Sequence, residues 1–342
     1  MPRARLQDVA DRAGVSLATA SRVLNGSSRQ PGPALVERVR SAAADLGYVV
    51  NAQAQALARS RTGLLGLVVH DISDPYFSSI AAGAQAAAIE HGRLVLLAST
   101  GRDPVAERKA VAAFAAHRVD AVIVAGTRWT PEDDEALAAA LDEYAAAGGR
   151  SVIVGQPVGG GSVVRPPNAE GARALAEALL AAGQRRFAVL SGPSRVATWR
   201  ERADAFARAV RAGGGEVSTV RIDEFSRDGG YAAGDDVAGL ARGAAGGEPP
   251  CVFAVADVMA IGLIARLREL GVAVPGDVCV AGFDDIPTLR DHVPALSTVR
   301  IPLEEMGRLA VAAAVDDQGA AGVPAAVDVG FDVVLRTSTA SV

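Results

Sequence analysis

The first fifty residues contain three short amphipathic stretches separated by polar breaks. Residues 5–13 have the apolar spacing of a helix, and Ser16 is placed to cap a second helix that runs to about Leu24 and ends at Asn25-Gly26. Pro33 suits the first turn of a third helix, which Gly47 ends. The apolar positions of this third helix repeat at helical spacing and are Leu35, Val36, Val39 and Leu46. Residues 1–49 are therefore predicted to form a small three-helix unit.

The pattern changes after residue 62. Residues 50–62 favour a helix but offer few core-forming side chains, so they are predicted to be a connector. From Gly63 onward, apolar runs of strand length alternate with longer Ala-rich stretches of helical character. This alternation is typical of parallel sheets covered by helices on both faces. The predicted strands lie at 63–69, 93–99, 120–126, 150–155, 186–192, 217–223, 251–256 and 277–283.

The span 63–342 is long for a single sheet of this kind. The stretch "GGGSVVRPPN" near residue 160 suggests a crossing into a second sheet, so two similar lobes with a cleft between them are expected. The first lobe is predicted to comprise 63–163 and 295–326, and the second 164–294 and 327–342. The expected fold class is α/β, with an N-terminal three-helix head and a two-lobed core built on parallel sheets.

Composition restricts the class of protein further. No apolar run approaches the roughly 20 residues that a membrane-spanning helix needs, and the start "MPRARLQDVA" lacks the apolar centre of a secretory signal. A cytoplasmic protein is therefore expected. Cys251 and Cys279 each lie within an apolar strand-like run, which predicts buried thiols without function rather than a disulfide.

Charge is distributed unevenly along the chain. Residues 1–61 carry nine arginines and four carboxylates, which gives a net charge of +5. Because the whole chain has a net charge of −5, residues 62–342 carry −10. A basic head on an acidic body indicates a polyanionic partner for the head alone, although a solvated charged face would give the same count.

The head also has the pattern of a DNA-binding motif. Two short helices joined by Ala13-Gly14-Val15 form a helix-turn-helix, whose second helix enters the major groove. Its small core is predicted from Val9, Ala10, Val15, Ala20 and Val23. Arg22 is predicted to bind a guanine edge, and Leu17 with Ala18 to touch thymine methyls. The residues suited to phosphate contacts are Ser16, Thr19, Ser21 and Asn25. A plain helical hairpin is the alternative.

The stretch "LQDVADRAGVSLATASRVLNG", followed by "VERVRSAAADLGYVVNAQAQALARSRTGLLGLVVHDISDPYF", resembles the LacI/GalR family of bacterial transcription regulators. The resemblance continues to the C-terminus. It implies a DNA-binding head, a hinge helix at 50–62, and a periplasmic-binding-protein-like core that binds a small effector and dimerises. It further implies that Leu57 wedges into the minor groove and that Ala54 lies where two hinge helices meet. Val50, where the family often has proline, departs from the pattern.

Ligands of two-lobed α/β folds lie between the lobes, at the carboxyl ends of the strands. The loop "HDISDPYF" offers Asp71, Asp74, Tyr76 and Phe77, and the family holds its effector with this loop. The resemblance places Thr198 and Arg202 at the cleft with Trp199 beside them, Phe225 over the ligand, and Asp257 and Asp284 at strand ends. Helix capping by Asp257 and packing by Tyr76 are the alternatives. A buried charge without a partner is costly, and a polar ligand would compensate it. Arg202 and Asp284 are therefore favoured as ligand contacts.

Aromatic faces, one arginine and several carboxylates suit a sugar or a nucleoside. Two carboxylates common in the family are missing here, where the chain has Gly155-Gln156 and Pro167-Asn168.

The expected function is a sequence-specific DNA-binding regulator, most simply a repressor, whose affinity for a palindromic operator responds to that effector. A homodimer is expected, because the two-fold symmetry of a palindromic operator requires two heads. The stretch "VVLRTSTASV" shows no leucine heptad that would support a tetramer. No cofactor or metal site is predicted, since the four histidines have no metal-ligand spacing. The alternatives are a sugar-binding protein that binds no DNA and an α/β enzyme. The sequence has no dinucleotide-binding, phosphate-loop or nucleophile-elbow motif, which argues against the enzyme.

Overall fold

The computed structural model describes residues 4–25, 31–49, 61–192, 195–244, 247–316 and 326–339. The chain divides into two compact units, Met1–Gly63 and Leu64–Val342, here called the head and the core. None of the described helices is both long and apolar enough to cross a bilayer.

The head consists of three helices, α1 (Leu6–Ala13), α2 (Leu17–Asn25) and α3 (Pro33–Asp45). Gly14 joins the first two in a left-handed conformation (φ 62°) that a side chain would strain. Ser16 caps α2 by accepting a hydrogen bond from the Thr19 amide at 3.2 Å. The apolar centre contains Val9, Ala10, Ala13, Ala20, Val23, Val39, Ala42 and Ala43, with Val15 and Val36 packed against it. Leu46, predicted as an apolar position of the third helix, follows its last residue and is 37% exposed.

The first lobe of the core is a six-stranded parallel sheet. Its order is β11-β5-β4-β3-β1-β2, and the strands are β1 (Leu64–Val69), β2 (Leu94–Ser99), β3 (Ala121–Gly126), β4 (Arg150–Gly155), β5 (Ser162–Arg165) and β11 (Ala326–Asp328). Its helices are α4 (Pro75–Glu90), α5 (Pro104–Ala116), α6 (Pro131–Ala146) and α12 (Leu303–Val315). The α/β class with parallel sheets is confirmed.

The second lobe contains a four-stranded parallel sheet of order β7-β6-β8-β9. Its strands are β6 (Arg186–Ser191), β7 (Glu216–Arg221), β8 (Cys251–Ala254) and β9 (Cys279–Ala281). Its helices are α7 (Asn168–Ala181), α8 (Ala197–Ala212), α9 (Arg227–Ala232), α10 (Gly234–Gly243) and α11 (Asp257–Glu269), followed by a 3₁₀ turn at Pro287–Asp291. Cys251 and Cys279 are buried and free, as predicted.

The lobes are joined by a short antiparallel pair, β10 (Thr298–Arg300) and β12 (Asp332–Val334). These strands, together with β5 and β11, were missing from the sequence-based set. The prediction that the stretch "GGGSVVRPPN" crosses into a second sheet is corrected. Its central residues form strand β5 of the first sheet, and the chain enters the second lobe only at α7.

Candidate functional site

Helix α2 presents the side chains that were predicted to contact DNA. Leu17 is 46% exposed, Ala18 and Arg22 are exposed, and Thr19 and Ser21 are half-buried. Ala20 and Val23 point the other way, into the head's core. No carboxylate in the described part of the head pairs with Arg22. The side chain of Asn25 and both hinge positions, Ala54 and Leu57, lie outside the described residues, as does Val50.

A cavity of about 40 Å³, here called the inter-lobe cavity, lies where the strands of both sheets end. It is lined by residues at or after the ends of β1 to β5 of the first lobe and of β6 to β9 of the second. The lining residues are His70, Asp74, Tyr76, Phe77, Arg102, Gly126, Thr127, Gly155, Pro166, Asn168, Thr198, Arg202, Phe225, Ala256 and Asp284. Seven of the ten predicted effector contacts are therefore brought to one place.

Arg202 is the most connected side chain of this cavity. It is 2% exposed and donates to Asn168 Oδ1 (2.9 Å) and to the Val255 carbonyl (2.7 Å). Its Nη2 lies 2.9 Å from Asp284 Oδ1, and its guanidinium stacks 3.8 Å from the centroid of the Phe283 ring. The expectation that Arg202 and Asp284 are unpaired without a ligand is wrong, because they form an ion pair with each other. Burial raises the pKa of Asp284, and the charge of Arg202 opposes that shift.

A second cation, Arg102, was not predicted to be at the site. It follows β2 in a left-handed conformation (φ 63°), and its Nη2 lies 3.4 Å from Asp74 Oδ2. Asp74 also caps α4 by accepting from the Tyr76 amide (3.0 Å). Burial raises the pKa of Asp74, against the lowering effects of that hydrogen bond and of Arg102. No motif marks Arg102 in the sequence.

His70 connects the cavity to a buried ion pair. Its Nε2 lies 3.7 Å from Glu107 Oε1, and Glu107 accepts from Arg128 at 3.1 and 3.4 Å. All three side chains are buried. Burial lowers the pKa of His70, which keeps the imidazole neutral near pH 7.

Several hydrogen bonds close the lobes over the cavity. The amide of Thr198 donates to Thr127 Oγ1 (3.1 Å), and the amide of Ala197 donates to the Arg128 carbonyl (3.0 Å). Gln156 Nε2 donates to Glu201 Oε2 at 2.9 Å. Ligand pockets usually measure about 300–1,000 Å³, so the lobes must open to admit a ligand.

Trp199 lies behind the wall of the cavity. It is 1% exposed, its Nε1 donates to the Leu190 carbonyl (2.9 Å), and its ring meets Phe225 edge-on with centroids 5.3 Å apart. The prediction that Trp199 faces the cleft is corrected to packing that supports Phe225.

Asp71 and Asp257 are also outside the lining. Asp71 accepts from the amide and hydroxyl of Ser73 (2.9 and 2.6 Å), which organises its own loop. Asp257 is fully buried and accepts from the Ile286 amide (3.0 Å) and the Thr298 hydroxyl (2.7 Å). Asp257 begins α11 without capping it and ties this helix to the segment after β9. Among the described residues, no group of three His, Cys, Asp or Glu side chains is placed to hold a metal ion.

The fold and the two sites define a class of protein, a DNA-binding head joined to a two-lobed ligand-binding core. Residues 5–51 match the model of bacterial regulatory proteins of the lacI family, and 176–339 match that of a periplasmic binding protein-like domain. The HTH-type transcriptional regulator GalS of Salmonella typhimurium is 33% identical over 321 residues, which cover 93% of this chain and 90% of GalS. CelR of Thermobifida fusca is 33% identical over 317 residues, covering 90% and 89%.

Solved structures agree with these relatives. A CelR–cellobiose complex is 31% identical with a TM-score of 0.69, covering 98% of this chain and 100% of that one. The Lac repressor dimer bound to operator and the anti-inducer ONPF is 25% identical with a TM-score of 0.82, covering 98% and 99%. The chain belongs to the lacI family, and it is a DNA-binding transcriptional regulator.

Proposed function

We propose that this regulator is a homodimeric repressor of a palindromic operator, and that an uncharged sugar bound in the inter-lobe cavity controls its DNA affinity. The observation that carries the ligand class is the charge balance of the cavity. Each cation in the lining faces a carboxylate, Arg102 with Asp74 and Arg202 with Asp284. A net charge on the ligand would leave one buried group uncompensated, whereas hydroxyl groups both donate to carboxylates and accept from guanidinium groups.

The rest of the lining supports a sugar over a nucleoside. Asn168 and the hydroxyls of Thr127 and Thr198 add polar contacts, while Tyr76 and Phe77 meet edge-on with centroids 4.9 Å apart. Such an edge-on pair gives an apolar wall but no pair of parallel faces between which a base would stack. The proposed ligand contacts are Asp74, Tyr76, Phe77, Thr198, Arg202, Phe225 and Asp284, with Arg102 added.

For DNA, the proposed contacts are those predicted on α2 together with the hinge. Ser16, Thr19, Ser21 and Asn25 position the helix on phosphates, Leu17, Ala18 and Arg22 contact base edges, and Leu57 with Ala54 acts in the minor groove. The proposed domains are the head at 1–49, the hinge at 50–62 and the core at 63–342. We further propose that the protein acts in the cytoplasm and catalyses no reaction, as its regulator relatives suggest.

Fluorescence anisotropy on a labelled palindromic operator tests this function. The operator is first obtained by binding-site selection on the full-length protein, and each of a set of neutral sugars, sugar phosphates and nucleosides is then added at saturation. A neutral sugar is expected to change the operator Kd by about 5–150-fold, the range of ordinary allosteric coupling. A response to nucleosides or sugar phosphates alone would overturn the ligand class, and failure to select any DNA would overturn the function itself.

A further inference from the structure

The first turn of α8 is capped by the opposite lobe. Helix α8 begins at Ala197 in the second lobe, and the residue before it, Val196, makes no side-chain capping bond. Two of the first amides donate instead to the loop after β3 of the first lobe. The Ala197 amide donates to the Arg128 carbonyl (3.0 Å), and the Thr198 amide donates to Thr127 Oγ1 (3.1 Å). We call these two bonds the lobe cap, and they break when the lobes separate.

A buried ion pair fixes the loop that provides the lobe cap. Both terminal nitrogens of Arg128 donate to the carboxylate of Glu107, at 3.1 and 3.4 Å, and both side chains are buried. Glu107 lies in the first turn of α5, so the pair ties the loop after β3 to a separate helix of the same lobe. His70 Nε2, whose residue lines the inter-lobe cavity, lies 3.7 Å from Glu107 Oε1. The network therefore extends from the cavity lining to the lobe cap.

Close packing restricts the same loop further. A Cβ added to Gly126 would lie 2.3 Å from His70 Nε2, so the imidazole lies directly against the residue that precedes Thr127. Burial lowers the pKa of His70, and the neutral ring leaves the charges of Glu107 and Arg128 to balance each other. The loop is thus held by the end of β1 on one side and by α5 on another, and it has little freedom to move alone.

Stability alone does not account for this ion pair. Removing two charges from water costs free energy that their attraction offsets only when the geometry is good and the remaining polar atoms are bonded. One of the two bonds here is long, at 3.4 Å, and the buried Nε of Arg128 has no acceptor among the described residues. Apolar side chains of the same volume would be at least as stable. What the pair supplies is position, because it places the Arg128 carbonyl where α8 needs an acceptor.

We propose that Glu107 and Arg128 are positioning residues for the lobe cap, and that the lobe cap sets the equilibrium between closed and open arrangements of the core. The proposal rests on the sugar-controlled function proposed above, because a cavity of about 40 Å³ admits a ligand only after the lobes separate. Neither side chain is part of the cavity lining, so both act through the loop rather than by ligand contact. Loss of one cap bond increases the open fraction by about two- to tenfold.

Hydrogen exchange mass spectrometry of the full-length protein without ligand measures the lobe cap. The Thr198 amide exchanges when its bond to the first lobe opens, so its exchange rate reports the open fraction. The double variant Glu107→Gln/Arg128→Met removes both charges at similar side-chain size, which avoids leaving one buried charge alone. It should accelerate exchange in the first turn of α8 by about two- to tenfold, while the strands of both sheets exchange as in wild type. Arg173→Met/Glu177→Gln, an exposed pair on α7, is the matched control and should change nothing.

Ala197→Pro tests the lobe cap from the second lobe. Proline is favoured at the first position of a helix, and Val196 is already extended (φ −84°, ψ 107°), so α8 should remain intact. The variant lacks the amide that donates to the Arg128 carbonyl, and its ring occupies the place of that bond. It should accelerate exchange at Thr198 as the double variant does, whereas Ala197→Gly keeps the amide and should not. In the anisotropy assay without sugar, Ala197→Pro and the double variant should change the operator Kd in the same direction.

The exchange pattern and the operator Kd separate the possible roles. Faster exchange throughout the core of the double variant would show that the ion pair only stabilises the fold, and wild-type exchange at Thr198 would show that it does not position the lobe cap. Either result refutes the proposal. Faster exchange at Thr198 in both variants with an unchanged operator Kd refutes the regulatory role of the lobe cap but leaves the sugar-controlled function intact. If no sugar changes the operator Kd of the wild type, that function is refuted, while the local effect on exchange is still expected.

Discussion

At the scale of single residues, Arg22 offers the sharpest test of DNA reading. Its side chain is exposed on α2, on the face opposite the buried Ala20 and Val23. If it binds a guanine edge with two hydrogen bonds, Arg22→Ala should weaken operator binding by about 1–3 kcal/mol per half-site and relax the preference at one base pair. Binding-site selection measures that preference. Arg22→Lys keeps the charge but not the planar donor pair, so it should also relax the preference. A role limited to phosphates would instead weaken all sequences equally.

Asp257 predicts a pH dependence of stability. Burial raises its pKa from 3.8 to about 7, although the Thr298 hydroxyl and the Ile286 amide favour the charged form. Between those pH values the folded state binds a proton that the unfolded state has lost, so the contribution of Asp257 to stability falls as the pH rises from about 4 to about 7. In Asp257→Asn this contribution is absent. The difference in unfolding free energy between wild type and variant should therefore shift in favour of the variant by roughly 4 kcal/mol across that range.

Chemical denaturation at a series of pH values measures the Asp257 effect. The hydrogen bonds lost in the variant change its unfolding free energy by an amount that does not depend on pH. The effect of Asp257 is therefore measured by how the difference in unfolding free energy between wild type and variant changes with pH. Asp204→Asn, at an exposed position of α8, is the control and should run parallel to wild type. Parallel curves for Asp257→Asn as well would show that this carboxyl is not protonated in the fold.

Residue types alone showed which side chains carry chemistry, but not how they pair. Asp74 and Tyr76 were predictable from their loop after β1, and Arg202 and Asp284 from the family pattern. The ion pair between Arg202 and Asp284 joins two residues that are far apart in the chain, so no local sequence pattern indicates it. Burial was also hidden, since Trp199 adjoins Thr198 in sequence yet points behind the cavity wall.

At the scale of elements, the packing of α4 on α12 depends on two glycines. A Cβ added to Gly307 would lie 2.1 Å from the Ile80 carbonyl oxygen, and one added to Gly83 would lie 1.9 Å from that of Glu304. Backbone atoms cannot withdraw as a flexible side chain can. Gly307→Ala should therefore separate the helices and destabilise the core by about 1–3 kcal/mol, as overpacking commonly does.

Gly239 supplies the matched control for this packing. It lies in α10 with open space around the added Cβ, so Gly239→Ala should stabilise the protein by about 0.5–1 kcal/mol. Thermal or chemical unfolding of both variants gives the comparison. If Gly307→Ala is as stable as Gly239→Ala, the close approach of α4 and α12 does not exist in solution.

The elements themselves were largely predictable. Each of the eight apolar runs predicted as a strand contains a strand of the structure, because parallel strands buried on both faces have nearly continuous apolar sequences. Ser162–Arg165 was interpreted as part of a crossing between the two sheets, because it has four residues between a glycine run and two prolines. Strands β10, β11 and β12 are stabilised by partners elsewhere in the chain rather than by a local pattern.

At the scale of the whole molecule, the closed cavity constrains how ligand and DNA are linked. A space of about 40 Å³ holds no sugar, so ligand binding must be accompanied by rearrangement of the lobes. A sugar that binds two lobe arrangements unequally shifts the population between them. If the operator also prefers one arrangement, the two ligands are coupled, and each changes the affinity of the other by the same factor.

Asp284→Asn is the variant that separates the two affinities. Arg202→Ala would leave Asp284 buried without its partner, a change that commonly costs about 3–5 kcal/mol and risks unfolding. Asp284→Asn also leaves the Arg202 charge without its carboxylate, but it keeps the size of the side chain and a carbonyl oxygen that accepts a hydrogen bond from Arg202. We expect Asp284→Asn to bind operator as wild type does in the absence of sugar and to lose the response to sugar.

Titration of a labelled operator with and without saturating sugar measures this response, and sugar titration with and without operator must give the same coupling factor for each protein. Asp142→Asn, at an exposed position of α6, is the control and should respond as wild type does. If Asp284→Asn shows the wild-type response with unchanged sugar affinity, Asp284 does not contact the ligand. If it instead loses operator binding without sugar, the Arg202–Asp284 pair maintains the DNA-binding arrangement of the lobes, and its role is conformational rather than one of ligand contact.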